Sequence, residues 1–277
     1  MNMVWESLRT ASGILRNDPA LWLPGLAAGL LSALDLVLQF QLGSFMAMRL
    51  SVLEAVVFPF FIAAILSRIA KRGDGLVSFG KGAASCYFRV LLPSLVIFFG
   101  IMLTLVLLAV PLTLIGAAEA FLPVAVMGTM VPILFFTFFY DTAAVFEDKG
   151  VFESIRRSVE VVLNHAWKTV GFYAVCLLIV ALVGFPLAIV WTGLLYDRLL
   201  PLTTMTTTDV QALTAEQFNT MLGFDGIVIS AIFLFIAISL LFPILYAFKA
   251  VFYRSCSEKT VIEVQGEYDK KGRWYKY

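Results

Sequence analysis

The sequence predicts an all-α, polytopic membrane protein with six transmembrane helices, and three observations carry that prediction. Hydrophobic residues make up 61% of the 277 positions and charged ones only 14%, against about 25% charged in a soluble domain. Mean hydropathy is +0.92, so there is too little polar side chain to cover a water-facing surface. Apolar runs long enough to cross a hydrocarbon layer of about 30 Å recur along the chain. Finally, the basic residues segregate into alternate loops.

The spans fall, in order, at Leu21 to Gln39, Met48 to Ile69, Leu91 to Leu114, Phe121 to Tyr140, Val170 to Leu195 and Ile227 to Val251. Helices are the expected form, because a helix satisfies its own backbone hydrogen bonds inside lipid. A transmembrane barrel would show alternating segments of about ten residues, and these runs are longer and more uniform. All Lys and Arg except Arg49 and Arg198 fall in the N-terminal segment, the loops after the second and fourth spans, or the C-terminal end. The positive-inside rule then predicts a multi-pass protein of the cell membrane with both termini cytoplasmic.

Several classes are excluded. A formal net charge of +1 offers no polybasic face for nucleic acid. One histidine, His165, and three distant cysteines argue against His/Cys metal centres and haem, and no cofactor is expected. The first residues lack the basic-apolar-small pattern of a signal peptide. No Walker motif occurs, and the lone histidine has no evident nucleophile beside it, so enzyme activity is not expected.

A repeat organises residues 1–254. Mixed polar and apolar segments led by Ser7, Ser78 and Ser154 each precede the first span of a pair. Phe79, Ala83, Tyr87 and Val90 share one helical face, and Ile155, Val159, Val162 and His165-Ala166 follow similar spacing. Such helices suit the membrane interface; the first is alternatively an extension of its span, broken at Pro19. The second span of each pair carries an apolar-apolar-Pro-apolar-apolar core around Pro59, Pro132 and Pro243. These prolines are candidate helix kinks. The expected architecture is three parallel repeats of interfacial helix plus helical hairpin, at 1–72, 73–148 and 149–254. The third copy is lengthened by a polar loop from Pro201 to Gly226, in which Thr214 to Gln217 begins like a capped helix. It reads as a lid or as a plain connection. Residues 255–277 form a tail with a small β-hairpin expected, its first strand at Thr260 to Val264 and its turn near Asp269 to Gly272.

Charges inside the spans are expensive, and they ordinarily face protein or a water cavity. Asp35 and Glu54 are expected near each other on the first hairpin, with Arg49 the nearest basic candidate for Glu54. Asp141 follows Pro132 at the interval at which Arg68 follows Pro59, so an ion pair between repeats is expected there. Asp35, Glu54, Arg68 and Asp141 therefore read either as a polar pathway or as structural ion pairs. Gly25, Ala28, Gly29, Ser32 and Ala33 offer a face for close helix packing, within the chain or in a homo-oligomer.

The stretch Phe146 to Ser158, followed by Asn164-His165-Ala166-Trp167, resembles a pattern in uncharacterised prokaryotic multi-helix membrane proteins. These are related to the membrane domain of glycerophosphodiester phosphodiesterases. An acidic-Lys-Gly turn leads into a Ser-rich amphipathic helix and then a Trp; Arg9 to Leu23 resembles a first copy. The resemblance implies a fold and a prokaryotic origin. The soluble phosphodiesterase domain is absent from this sequence, so its activity is not implied.

Function is then expected to be passage of a small solute or ion through a channel or transporter. The alternatives are a non-catalytic accessory protein that organises lipid or an unidentified protein partner, and a lipid-handling enzyme. Membrane lipids are the expected neighbours in every case.

Overall fold

The computed structural model describes residues 2–42, 44–71, 76–263, 266–268 and 274–276. The helices are α1 (Asn2–Asn17), α2 (Leu23–Leu42), α3 (Ser44–Lys71), α4 (Leu76–Leu114), α5 (Ala118–Thr137) and α6 (Tyr140–Phe146). They continue as α7 (Val151–Asn164), α8 (Ala166–Leu194), α9 (Tyr196–Thr204), α10 (Thr207–Ala212) and α11 (Ala215–Glu263). Among the described residues, six helical stretches are long and apolar enough to cross a membrane. They overlap all six predicted spans. Large apolar side chains lie on their outer surfaces, including Phe99, Leu103, Leu107 and Leu182, as a lipid-facing surface requires and a water-facing one does not.

The segments before the spans differ from expectation in one copy. α1 ends where Asp18 precedes Pro19: Asp18 leaves helical geometry (φ −125°, ψ 87°), and its carboxylate accepts from the Ala20 N–H at 3.3 Å across a short 3₁₀ turn, Pro19–Trp22. α7 ends at Asn164, with His165 non-helical (φ −130°, ψ 32°). In the middle copy no separate amphipathic helix forms. Phe79 to Leu114 is one unbroken helix, which runs straight through Pro93. Of the predicted face, Ala83 and Val90 are buried but Phe79 and Tyr87 only half-buried; Cys86 is buried in addition, and Lys81 and Arg89 are exposed. On α7 the buried face is Ser154, Ser158, Val161 and Val162, with Ile155 and Val159 only half-buried. The serines point inward.

The prolines lie inside helices, Pro59 in α3, Pro132 in α5 and Pro243 in α11. The non-helical backbone within α11 is at Gly223 (φ 67°, ψ 175°). The stretch from Pro201 to Gly226 is mostly helical: α9, α10 and the start of α11. Reciprocal bonds between Thr206 and Asp209 and between Thr214 and Gln217 cap two of these helices. The Thr206 hydroxyl and N–H hold the exposed Asp209 carboxyl below its ordinary range.

The tail also departs from expectation. Helix α11 continues through Thr260 to Glu263, so the first strand begins later. Strands β1 (Gly266–Tyr268) and β2 (Trp274–Lys276) pair antiparallel with Glu267 opposite Tyr275. Val264 and the expected turn at Asp269 to Gly272 lie outside the described residues.

The chain divides into two compact units. Unit 1 comprises 1–14, 62–173 and 246–277; unit 2 comprises 15–61 and 174–245. Unit 2 is held by close helix approach. A Cβ on Gly25 would lie 2.8 Å from the Ser239 carbonyl oxygen, and one on Gly29 2.8 Å from that of Phe235. Glycine at both positions lets α2 meet the backbone of α11, so the small-residue face is used within the chain. Phe58 and Phe242, each beside a proline, meet edge to face at 6.1 Å. Leu195, Leu222 and Ile227 form a further buried cluster with Trp191 and Phe218, and the Trp191 indole N–H donates to the Ser230 hydroxyl at 2.9 Å. Arg198 donates to the Leu222 carbonyl at 2.8 Å and pairs with Asp225 at 3.5 Å, bracketing the Gly223 break.

Unit 1 has an aromatic core. Phe139, Phe172, Phe248 and Phe252 are fully buried, with Phe172 stacked on Phe252 at 4.7 Å between ring centroids. Its polar contacts are denser. Glu147 accepts from Ser257 at 2.6 Å, Tyr253 at 2.7 Å and the Arg157 Nε at 3.0 Å. Burial alone would push the Glu147 carboxyl up; the bonds from Ser257, Tyr253 and Arg157 outweigh it and hold the carboxyl below its ordinary value of 4.5. Arg89 pairs with Asp148, whose positive φ of 56° makes the turn into α7, and the Gly150 N–H donates to Glu153 at 3.3 Å.

Candidate functional site

The strongest candidate site lies in unit 1, beside the break between α5 and α6. Residues 138–139 leave the helix, and the side chain of Ser158 on α7 fills the gap. Its hydroxyl donates to the Phe136 carbonyl at 2.8 Å and accepts from the Phe139 N–H at 2.9 Å. Two backbone groups that lose regular helical partners at the break are satisfied by one buried hydroxyl. Asp141 follows in the first turn of α6.

Asp141 is 1% exposed. Its Oδ1 accepts from the Thr142 N–H at 2.6 Å and the Thr142 hydroxyl at 3.1 Å, and its Oδ2 accepts from Lys249 Nζ at 2.7 Å. Lys249, on α11, is 5% exposed. Its ammonium also lies 4.2 Å from the centre of the Phe138 ring and 5.2 Å from that of Tyr246, within reach of a cation–π attraction. A buried ion pair is tolerable when both partners are further bonded, and here the carboxylate has Thr142 and the ammonium has two rings.

The pair stands on the wall of a cavity of about 640 Å³, within the size range of small-molecule sites. Aliphatic Ile97, Val131, Leu134 and Val170 line it together with aromatic Phe135, Phe138, Tyr140, Tyr173 and Tyr246. Thr137 completes the polar wall, its hydroxyl donating to the Ile133 carbonyl at 2.7 Å. A mainly apolar cavity with one buried ion pair accommodates a molecule with an apolar body.

The predicted site residues thus separate. Asp141 lines the cavity and takes Lys249, a residue that the repeat argument did not select. Arg68 is half-buried in unit 1 on α3. Asp35 and Glu54 belong to unit 2. Glu54 takes a hydrogen bond from Ser32 and lies within electrostatic reach of Asp35, as expected of the pair. The Gln39 side-chain amide donates to Asp35 Oδ2. Asp35 Oδ1 and Glu54 Oε1 are buried and accept no hydrogen bond among the described residues. Arg49 is exposed. No group of three or more His, Cys, Asp or Glu able to hold a metal occurs among the described residues. Lys249 carried one signal in the sequence: it is an ionisable group one helical turn and a half beyond Pro243, still inside an apolar run.

These features define a helical protein of membrane type with a buried ion pair at an apolar cavity. The chain belongs to the family described as "Domain of unknown function (DUF7847)", which matches residues 3–256. The match takes in the six spanning stretches up to Cys256 in the last and leaves out most of the tail. No curated protein matches the chain, and no solved structure matches it.

Proposed function

We propose that this is a non-catalytic integral membrane protein of the transport class, and that the cavity in unit 1 takes up a small amphiphilic solute. One observation carries the reading: an apolar, aromatic-lined cavity of about 640 Å³ with the Asp141–Lys249 pair in its wall. An ion path would call for a polar lining along its length, so the lining favours an amphiphile over a bare ion. In this reading the protein lies in the cell membrane with both termini cytoplasmic, on the distribution of Lys and Arg. A threefold parallel repeat is part of it, supported by the separate amphipathic helices α1 and α7 and by prolines inside three spanning helices; the middle copy has lost its separate helix. The likeness of Phe146 to Trp167 to the membrane domain of glycerophosphodiester phosphodiesterases, and with it a prokaryotic origin, is proposed on the sequence pattern alone.

The second reading is an accessory or lipid-organising protein. Exposed Phe152 and Leu163 at the ends of α7 and Trp167 in the first turn of α8 favour it, because they suit the bilayer interface. Proteoliposomes discriminate the two. Transbilayer movement of a labelled single-chain amphiphile, above empty vesicles and abolished by the cavity-filling Val170→Trp, supports transport. Ion flux lost in Asp35→Asn or Glu54→Gln would instead place an ion pathway in unit 2. Neither movement, at verified incorporation, supports the accessory role.

A further inference from the structure

We infer that the unit 1 cavity opens sideways into the hydrocarbon layer, between α5 and α8, and takes its amphiphile from one leaflet of the bilayer, so that its occupant is a membrane-resident single-chain lipid. The inference rests on the reading of that cavity as a solute site and adds the route by which the solute arrives.

Exposure identifies the mouth. Of the residues that line the cavity, the exposed ones are Val131 (58%) and Leu134 (49%) on α5 and Val170 (47%) on α8. The charged ones, Asp141 and Lys249, are buried. An apolar rim costs nothing against hydrocarbon and is costly against water. Val131 and Leu134 also continue a stripe with Val124 and Met127, both exposed, at the spacing that keeps one helical face. On α8, Val170 and the exposed Leu177 share a face in the same way. The rim is therefore part of the apolar outer surface that the spans turn to lipid.

The polarity of the cavity runs the same way as that of a leaflet. Val131 lies near the middle of the apolar stretch Phe121–Phe146 and Asp141 toward its end. Val170 lies near the start of Ala166–Leu194, and Lys249 toward the end of Gln217–Glu258. With six crossings, those three ends share the membrane face of both chain termini. The ion pair thus stands toward the headgroups and the α5 rim toward the midplane. At the helical rise, Val131 to Asp141 covers about 15 Å, the depth of one leaflet. A single-chain lipid in that leaflet already holds its polar end and its chain at these depths, and it enters by a lateral shift without turning over. An amphiphile arriving from water would have to thread its chain past the closed polar end, where Asp141, Thr142 and Lys249 are all buried.

The test is photolabelling of the full chain in phosphatidylcholine vesicles. One probe is a long-chain monoacylglycerol with a diazirine on its chain, confined to the bilayer. The other is the same diazirine on glucose, present in the water on both sides. Adducts are located by mass spectrometry. The lipid probe should label Phe138 and Tyr246 on the cavity wall as well as Phe99 and Leu182 on the outer surface; the sugar probe should label none of them. Excess unlabelled monoacylglycerol should suppress labelling of the wall and spare Phe99 and Leu182, because a site saturates and the surrounding lipid does not. Leu134→Trp, which narrows the mouth from an exposed position, should remove wall labelling alone. Wall labelling by the sugar probe, or wall labelling that survives in folded Leu134→Trp, overturns the lateral route and leaves the cavity reading standing. Wall labelling by neither probe, or wall labelling that excess monoacylglycerol does not suppress, overturns the cavity reading itself. The two probes are compared in the native protein, so misfolding of Leu134→Trp does not remove the test.

Discussion

The two units carry intramembrane carboxylates in opposite electrostatic settings. In unit 1, Asp141 is almost fully buried and every oxygen has a partner, one of them cationic. In unit 2, Asp35 and Glu54 are half-buried, lie within reach of each other and each keep an oxygen without a hydrogen bond among the described residues. Burial alone therefore does not measure how much a charge matters to the fold. What matters is what its removal leaves behind. Unit 1 depends on polar partners and unit 2 on close approach of backbones, and substitutions should sort accordingly.

The largest effect is expected at Lys249. Lys249→Met strands the Asp141 carboxylate and should cost about 3–5 kcal/mol, whereas Asp141→Asn/Lys249→Met together should recover most of that. Labelling by a thiol-reactive dye during heating measures it, because Cys86 and Cys256 are buried in the folded chain. Equal loss in the single and double variants would show that the pair contributes no more than shape.

Ser158→Ala and Gly29→Val come next, one in each unit. The first leaves the Phe139 N–H and the Phe136 carbonyl without their partner, at about 1–3 kcal/mol. The second drives a side chain into the α11 backbone, at about 1–3 kcal/mol. Ser158→Thr should retain much of the bonding, and Gly29→Ala should lose less than Gly29→Val. The same thermal labelling series reports both.

A smaller, pH-dependent effect belongs to Glu147. Its folded-state carboxyl lies below the ordinary value of 4.5, so the unfolded chain binds the proton more readily. Its contribution is complete above the ordinary value and is lost as pH falls through the depressed folded value. Unfolding temperature should drop on acidification through that window, and Glu147→Gln should flatten the drop. A profile unchanged by Glu147→Gln would remove the network from the account.

The smallest effects are expected at Asp35→Asn and Glu54→Gln, within about 0.5 kcal/mol or slightly stabilising, since each removes one of two like charges. A loss as large as that of Lys249→Met would dissolve the contrast between the units.

The spans were readable because hydropathy averages over some twenty residues and tolerates a few polar ones. The capped start of α11 was readable because Thr214 and Gln217 sit at the required spacing. Asp141 stood out as a charge in an expensive place, but Lys249 did not, because it precedes a run of basic residues and its burial is a property of packed helices. Arg68 was selected by repeat symmetry, which fixes a register between the second spans of the repeats. The continuity of α4 was not legible, because Pro93 marks a break in sequence and the helix runs through it. The break at 138–139 had no local mark at all: the segment is Phe-rich, with neither Gly nor Pro at the break, and the group that stabilises it comes from another helix.

That last contact bears on the order of assembly. Phe139 lies 19 residues before Ser158 in the chain. Until Ser158 has emerged and its helix has docked, the cheapest state for the segment around Phe139 is an ordinary helix, with the N–H bonded to its own preceding turn. The break and the docking of the amphipathic helix are therefore one event. A nascent chain ending before Ser158 should hold this segment as continuous helix, and Asp141 should reach Lys249 only after α11 has arrived.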